Sequence, residues 1–374
     1  MPEIVFALAA SPHNNSRALR QIRTLADAGM AVHILSLPGE SSRAVLPTNV
    51  SESTVEIRHS RGPAFFREIR HKFLGAALQI NARHFHASDL YVLGSMASAA
   101  GRKGATYSYD ARECYPHVPS TVGRPWIRWY WQMTEHRFIR GASARFTVSE
   151  SIANHMARAY DIPPPTLVLN VPPARPINTS SFLRDQLGLS AETNIVLHLG
   201  QLKKDRGCDI LVKAMTRVRD AHLVFLGSGP EKEHLEQISR SSNTKDRVHF
   251  IPPVSPDLVL DVASAATIGT TLLQDTCLNH RYALPNKLFE YVAAGLPILA
   301  SDLTELKKVI TSYGLGQVVD GSDFRAAGDA LDFMLSDQQQ LETWKHNTKI
   351  ARETFHWEKA SQPFLAELQS LMAS

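Results

Sequence analysis

The chain has 374 residues, of which 44% are hydrophobic, and it carries 40 Lys+Arg against 36 Asp+Glu for a net charge of +4. This composition supports two buried cores and excludes a disordered or collagenous polymer. No run of ~18 or more apolar residues occurs, and Met1-Pro2-Glu3 lacks the basic flank and cleavage site of a signal peptide, so a cytosolic globular protein is expected.

Cys114, Cys208 and Cys277 are widely spaced and form no C-x-x-C pair, which argues against disulfides and structural zinc. Residues 1–170 hold 19 Lys+Arg and 12 Asp+Glu (+7), leaving 21 and 24 (−3) for 171–374. The basic first half predicts an anionic partner on one side: a membrane surface, a lipid-linked phosphate or an acidic glycan.

In chain order, the first half predicts strands at 3–9, 31–36, 89–93, 105–109 and 143–148, with helices near 16–28, 63–82, 123–140 and 149–159. The loop Ala10-Ser11-Pro12-His13-Asn14-Asn15-Ser16-Arg17 joins the first strand to the first helix and is aimed at a ligand cleft; Asn15 or Ser16 also fits a helix cap. Strand 105–109 runs into Asp110-Ala111-Arg112-Glu113, a cation and two carboxylates at a strand's carboxyl end, where function concentrates and where a salt-bridged structural cluster is the alternative. Two segments mix aromatics with cations, Phe65 to Leu74 and Arg124-Pro125-Trp126-Ile127-Arg128-Trp129-Tyr130-Trp131. They fit either a lipid headgroup layer or buried helix faces.

Ile162-Pro163-Pro164-Pro165 and Asn170-Val171-Pro172-Pro173-Ala174-Arg175-Pro176 then form a stiff connector. A first domain over 1–170 and a second over 171–356 follow, both parallel and doubly wound, with ligand loops at the strands' carboxyl ends facing an interdomain cleft.

In the second half, strands at 194–199, 222–226 and 248–251 each precede a helical pattern. The first enters Gly200-Gln201-Leu202-Lys203-Lys204-Asp205-Arg206-Gly207, where glycines permit a tight loop and Arg206 is the main phosphate-binding candidate, a solvated basic turn being the alternative. The second ends in Gly227-Ser228-Gly229-Pro230. The third position of a G-x-G-x-x-G fingerprint falls on Lys232, so backbone passing close to a ligand fits better than dinucleotide binding.

Residues 284–301 are the most informative. Pro285 starts a helix whose outward N–H groups and dipole suit an anion, Asn286 and Lys287 crowd its tip, and Leu288 belongs to its first turn. Glu290 lies about one turn deeper, where its carboxylate suits a vicinal diol such as a ribose, and Gly295 ends the helix before Ile298-Leu299-Ala300 re-enters the sheet. The tail from about 323 to 370 is helical with a bend near Trp357-Glu358, and a helix at about 357–374 is expected to pack back on the first domain. The histidines form no H-x-x-x-H pair and no D-x-D occurs, so no catalytic metal is expected.

These motifs resemble the retaining GT-B glycosyltransferases of family 4, over nearly the whole chain. The resemblance is carried by Pro285-Asn286-Lys287-Leu288-Phe289-Glu290-Tyr291 with Ala294-Gly295-Leu296-Pro297, the Gly200–Gly207 loop, Gly227-Ser228-Gly229-Pro230, Asp110-Ala111-Arg112-Glu113 and the connector Asn170-Val171-Pro172. It implies an α/β fold of two Rossmann-like domains, the first binding the acceptor and the second a nucleotide-diphosphate sugar. The product implied is a cell-surface polysaccharide or glycolipid, made at the inner face of a membrane without metal or other cofactor.

By that resemblance Glu290 is the second glutamate of the E-x(7)-E motif, and Arg206 stands where a phosphate-binding lysine is usual. Arg112 and Lys287 join them as catalytic candidates. Gly200, Gly229, Asn286, Leu288 and Tyr282 fall on the donor side, and Ser16, Arg17, Asp110 and Glu113 on the acceptor side. The motif's first glutamate is replaced by Tyr282, Gln201 stands where an arginine often follows the loop's first glycine, and Arg112 stands where many relatives carry histidine. Asn279, His280 and Asp275 are substitutes for the missing sugar contact. A nucleotide-sugar epimerase of the same build and a degenerate, non-catalytic binding partner are the alternatives; nucleic-acid binding has little support.

Overall fold

The computed structural model describes residues 2–39 and 45–373. The chain forms two compact units, one of residues up to Leu169 together with those from Ala360, the other of Asn170–Lys359.

The first unit is built on seven parallel strands: β1 (Ile4–Leu8), β2 (Val32–Ser36), β3 (Val50–Thr54), β4 (His84–Ala87), β5 (Thr106–Ala111), β6 (Ala144–Thr147) and β7 (Thr166–Leu167). Their order is β3-β2-β1-β4-β5-β6-β7. Every residue of β1 is buried, as a central strand covered on both faces requires. The order reverses between β1 and β4, so a crevice-forming switch point lies beyond their carboxyl ends.

The strand expected at 89–93 is instead the start of a helix, Leu90–Lys103, and the strand lies earlier, at His84–Ala87. Asp89 decides this: its Oδ1 accepts from the N–H groups of Tyr91 (2.9 Å) and Val92 (3.2 Å), an N-cap that starts a helix with Leu90, Leu93 and Met96 facing the core. β4 escapes a hydrophobicity reading because His84 and His86 are core residues. Their rings meet Thr106 and Ser108 hydroxyls at 2.7–2.8 Å, and burial drives their pKa values down to about 3 and about 4, leaving both neutral. β3 was also not anticipated; its polar Val-Ser-Glu-Ser-Thr suits the sheet edge it occupies. The predicted first-half helices appear as Ser16–Asp27, Gly62–Gln79, Pro125–Ile139 and Glu150–Tyr160. The tail helix Gln362–Ala373 belongs to this unit, with Phe364 buried against the rings of Phe146 (5.0 Å) and His86 (5.6 Å).

The second unit has six parallel strands: β8 (Asn194–Leu199), β9 (Ala221–Leu226), β10 (Val248–Ile251), β11 (Ile268–Thr271), β12 (Ile298–Ser301) and β13 (Gly316–Val319), in the order β10-β9-β8-β11-β12-β13. Its switch point lies between β8 and β11. Helices Cys208–Ala214 and Phe324–Ser336 share a core with β8, β9 and β11 through Val196, Leu211, Phe225, Ile268 and Leu331.

Candidate active site

Helix Asn286–Ala294 connects β11 to β12, so as a parallel-sheet crossover it runs opposite to the strands and brings its N-terminus to their carboxyl ends. Pro285 takes the N-cap with φ −68° and ψ 145°, and its carbonyl accepts from Leu288 N–H at 3.0 Å. Tyr291 bolts the helix to the sheet: its hydroxyl accepts from Leu199 N–H (2.9 Å) and lies 3.1 Å from both the Leu197 and Thr270 carbonyls. A β-carbon at Gly269 would fall 2.4 Å from the Tyr291 ring, so glycine there admits the bolt.

The Gly200–Gly207 loop leaves β8 at this same end. Gly207 has φ +68°, and a β-carbon on it would approach Leu272 O to 2.1 Å, so the loop crosses tightly over the chain leaving β11. Gly200 (φ +100°) has open space where its side chain would stand. The Gly227–Pro230 turn braces the loop from behind: Leu202 N–H donates to Ser228 O (2.9 Å), and a β-carbon at Gly229 would come 2.2 Å from Leu202 O. Gly229 is thus required by loop-on-loop packing.

Two cations gather at this end of the sheet. Lys287 Nζ donates to His198 Nε2 at 2.9 Å, and His198 is fully buried on β8 with Cys208 Sγ 3.5 Å from the same nitrogen. Burial first, then Lys287 and Arg206, hold His198 well below the ordinary histidine range, so it is a neutral acceptor that adds no counter-charge to the lysine. Burial drops Lys287 to about 8; Arg206 pushes the same way, while Cys208 and Glu290 oppose. Half-buried Arg206 makes no ion pair or side-chain hydrogen bond among the described residues. Glu290 is half-buried and close enough to Lys287 to be felt electrostatically.

Asn286 presents its side-chain carbonyl to Asn170 Nδ2 at 2.5 Å, which pins the connector to the helix tip. Leu288 is fully buried, so only its backbone belongs to the tip. Tyr282 caps the short helix Leu278–Arg281 and is half-buried. Of its proposed substitutes, Asp275 is engaged by Arg281 at 2.9–3.2 Å. His280 Nδ1 sits 3.1 Å from Gln274 O, and Asn279 is buried.

In the first unit the acceptor-side candidates divide. Arg17 and Asp110 face each other in the interior as a two-pronged pair: Nε–Oδ2 is 2.8 Å and Nη2–Oδ1 2.9 Å, with Gln21 Nε2 donating to the same carboxylate at 2.8 Å and Arg17 Nη1 to Val168 O at 2.7 Å. Burial alone would lift the Asp110 pKa; Arg17 outweighs it and holds the carboxylate low. Their role is to lock the first helix to β5 and the chain after β7. Ser16 is exposed beside Arg20, and Asn15, not Ser16, caps the helix through Ala18 N–H at 3.1 Å.

Arg112 differs. It lies 3.8 Å from Asp89, keeps part of its side chain exposed, and its Nε is one of three buried polar atoms at the ends of β4 and β5 without a partner among the described residues, with Ser88 Oγ and Tyr115 Oη. Arg112 and Tyr115 interact with each other electrostatically, and the hydrogen-bonding capacity left on Arg112 Nε and Ser88 Oγ suits a polar ligand. Glu113 is exposed nearby. His198, Ser88 and Tyr115, which the structure sets beside the candidates Lys287 and Arg112, were not among the residues expected from the sequence. A histidine inside the apolar run Ile195–Leu199 was the available signal for the first, whereas nothing in the sequence marks the other two.

Two family models match consecutive parts of the chain: a glycosyl transferase 4-like domain over residues 15–173 and glycosyl transferases group 1 over residues 180–351. Among curated relatives, the chain is 26% identical over 215 residues to a D-inositol 3-phosphate glycosyltransferase of Xylanimonas cellulosilytica, covering 56% of this chain and 50% of that protein. It is also 26% identical over 198 residues to spore coat protein SA of Bacillus subtilis, covering 49% and 50%. The chain thus spans about half the length of the curated relatives it matches.

Its fold is shared with a sucrose-phosphate synthase from Thermosynechococcus elongatus (TM-score 0.83, 18% identity, 100% of both chains) and with the Anabaena protein HepE in complex with UDP (TM-score 0.76, 15% identity, 99% of this chain and 100% of that one). With a 4-like first half, a group 1 second half and two Rossmann-like sheets, the chain belongs to the family 4, group 1 type glycosyltransferases of GT-B fold.

Proposed function

We propose that the protein moves a sugar from a nucleotide-diphosphate donor to a glycan or lipid-linked acceptor in cell-surface polysaccharide or glycolipid assembly, with retention at the anomeric carbon and without a metal. The observation that carries this reading is an Arg206 guanidinium with no ion pair among the described residues, beside an ammonium, Lys287, that is hydrogen-bonded to a neutral imidazole at a helix N-terminus. Two cations facing a single nearby carboxylate, Glu290, with a helix dipole beside them suit the charge that develops on a departing diphosphate. Glu290, one turn in, accepts from the ribose diol.

As the anomeric carbon–oxygen bond breaks, the leaving phosphate oxygen gains negative charge, held by Arg206 and Lys287. The acceptor hydroxyl attacks from the same face and passes its proton to that oxygen. Arg112, with Ser88 and Tyr115, supplies polar contacts on the acceptor side. The UDP present in the HepE complex makes UDP the first nucleotide to try.

Calorimetric titration with UDP, beside transfer assays on Arg206→Ala and Glu290→Ala, tests the proposal. Each variant should lose ~10²–10³ in transfer rate. Full activity and donor affinity in either would remove that residue from the mechanism, and no nucleotide binding at all would favour a degenerate transferase. Product formed without any acceptor would point to an epimerase.

Contact with a membrane surface is part of the proposal. Helix Pro125–Ile139 exposes Trp126 (67%), Trp129 (62%), Tyr130 and Met133 at helical spacing on one face, flanked by exposed Arg124, Arg128 and Arg137. Aromatic rings with adjacent cations suit the headgroup layer of an anionic bilayer. Among the described residues no helix is long and apolar enough to cross a membrane.

A further inference from the structure

The turn that follows β5 holds a cluster that no step of the proposed reaction uses. Cys114 is 3% exposed, and the single helical turn Tyr115–His117 brings His117 round to the same side. His155 arrives from helix Glu150–Tyr160, its ring edge-on to His117 with centroids 5.1 Å apart at 87°. One ligand atom from each of the three residues lies within 4.8 Å of the others.

We propose that Cys114, His117 and His155 form a binding site for a thiophilic divalent ion of the zinc class, with a fourth position open to water or an anion. A tetrahedron with bonds of ~2.0–2.3 Å has edges of about 3.3–3.8 Å, so closing on the ion takes side-chain movements on the order of 1 Å. The thiol is unoxidised, and the donor set of one sulfur and two imidazoles is what zinc and cobalt prefer. Burial, then His155 and Arg128, lowers the His117 pKa to about 4, and burial, then Arg158, lowers that of His155. Gln132 Nε2 lies 3.4 Å from His117 Nε2, and turning that amide would present its oxygen to the Nε2–H of a ring bound through Nδ1.

The consequence is a clip between two elements of the first unit. An ion here ties the segment just beyond Arg112 to helix Glu150–Tyr160, restraining the strand end that carries Arg112. Sequence spacing hides the site, because Cys-x-x-His supplies only two ligands and the third comes from a separate helix.

The test is titration of the reduced, full-length protein with Co²⁺, followed by displacement with Zn²⁺. One equivalent should give a thiolate-to-cobalt charge-transfer band with the intense visible bands of four-coordination, and Zn²⁺ should abolish them and raise Tm. Cys114→Ser should lose the charge-transfer band, His155→Gln should weaken Co²⁺ binding at least tenfold, and Cys277→Ser should behave as wild type. Absence of a thiolate band at one equivalent, its loss in Cys277→Ser, or unchanged binding in His155→Gln overturns the proposal. His155 is only half-buried, so that variant, checked by circular dichroism, decides the matter if Cys114→Ser does not fold.

Discussion

Lys287 Nζ stands 2.9 Å from His198 Nε2, an ammonium donating to an imidazole that has no contact with water. A carboxylate in the histidine's place would neutralise the lysine; a neutral ring positions it without adding a counter-charge. With its pKa lowered to about 8, chiefly by burial, Lys287 is charged below that pH and neutral above it. UDP affinity should therefore be level below about pH 8 and fall as pH rises through it, and Lys287→Met should both weaken binding roughly 10- to 150-fold and flatten the alkaline fall. Calorimetry across the neutral to alkaline range checks this; an unchanged pH profile in the variant would dissociate Lys287 from the anion.

The Arg17–Asp110 pair predicts a loss of stability with no loss of nucleotide binding. Removing one partner strands a buried charge, so Arg17→Met or Asp110→Asn should destabilise by about 3–5 kcal/mol, while replacing both by apolar residues should recover much of it. Urea unfolding of the single and double variants, with UDP titrations alongside, measures both. A weakened UDP affinity in folded Arg17→Met would reassign the pair to the ligand site.

Glu135 offers a pH-dependent stability. It is buried between the hydroxyls of Tyr109 (2.7 Å) and Tyr160 (2.5 Å), and burial raises its pKa from 4.5 to about 7 against the lowering effect of those two bonds. A folded pKa above the unfolded value means that the native state holds the extra proton. Its stabilising contribution is thus complete below about 4.5 and lost as pH rises through about 7, a change of about 3 kcal/mol. Glu135→Gln should remove that slope. Denaturation at several pH values decides; a slope identical to wild type refutes the assignment.

The exposed face of helix Pro125–Ile139 predicts sedimentation with vesicles. Trp126→Ser with Trp129→Ser should reduce binding to vesicles containing anionic lipid by at least tenfold, on the scale of ~1.5–3 kcal/mol per buried large side chain. Solubility and Tm should be unaffected, since both rings are exposed. Equal binding by the double variant, or wild-type binding that ignores anionic lipid, would remove the membrane from the proposal.

The sequence alone determined the α/β class, the proline connector and the helix between Pro285 and Gly295, because periodicity and those two capping residues are local signals that the backbone must obey wherever it folds. It could not determine β4, since His84 and His86 look polar until Ser108 and Thr106 on the next strand satisfy them. Nor could it separate Arg17 from Arg112, two cations beside the same β-strand. Tertiary structure turned the first onto a buried carboxylate and left the second with an unpaired nitrogen at a strand end. His198 and Gly229 were settled the same way. Whether a polar or glycine residue serves a ligand or the packing depends on which partner long-range folding places within a few ångströms, and chain order does not encode that distance.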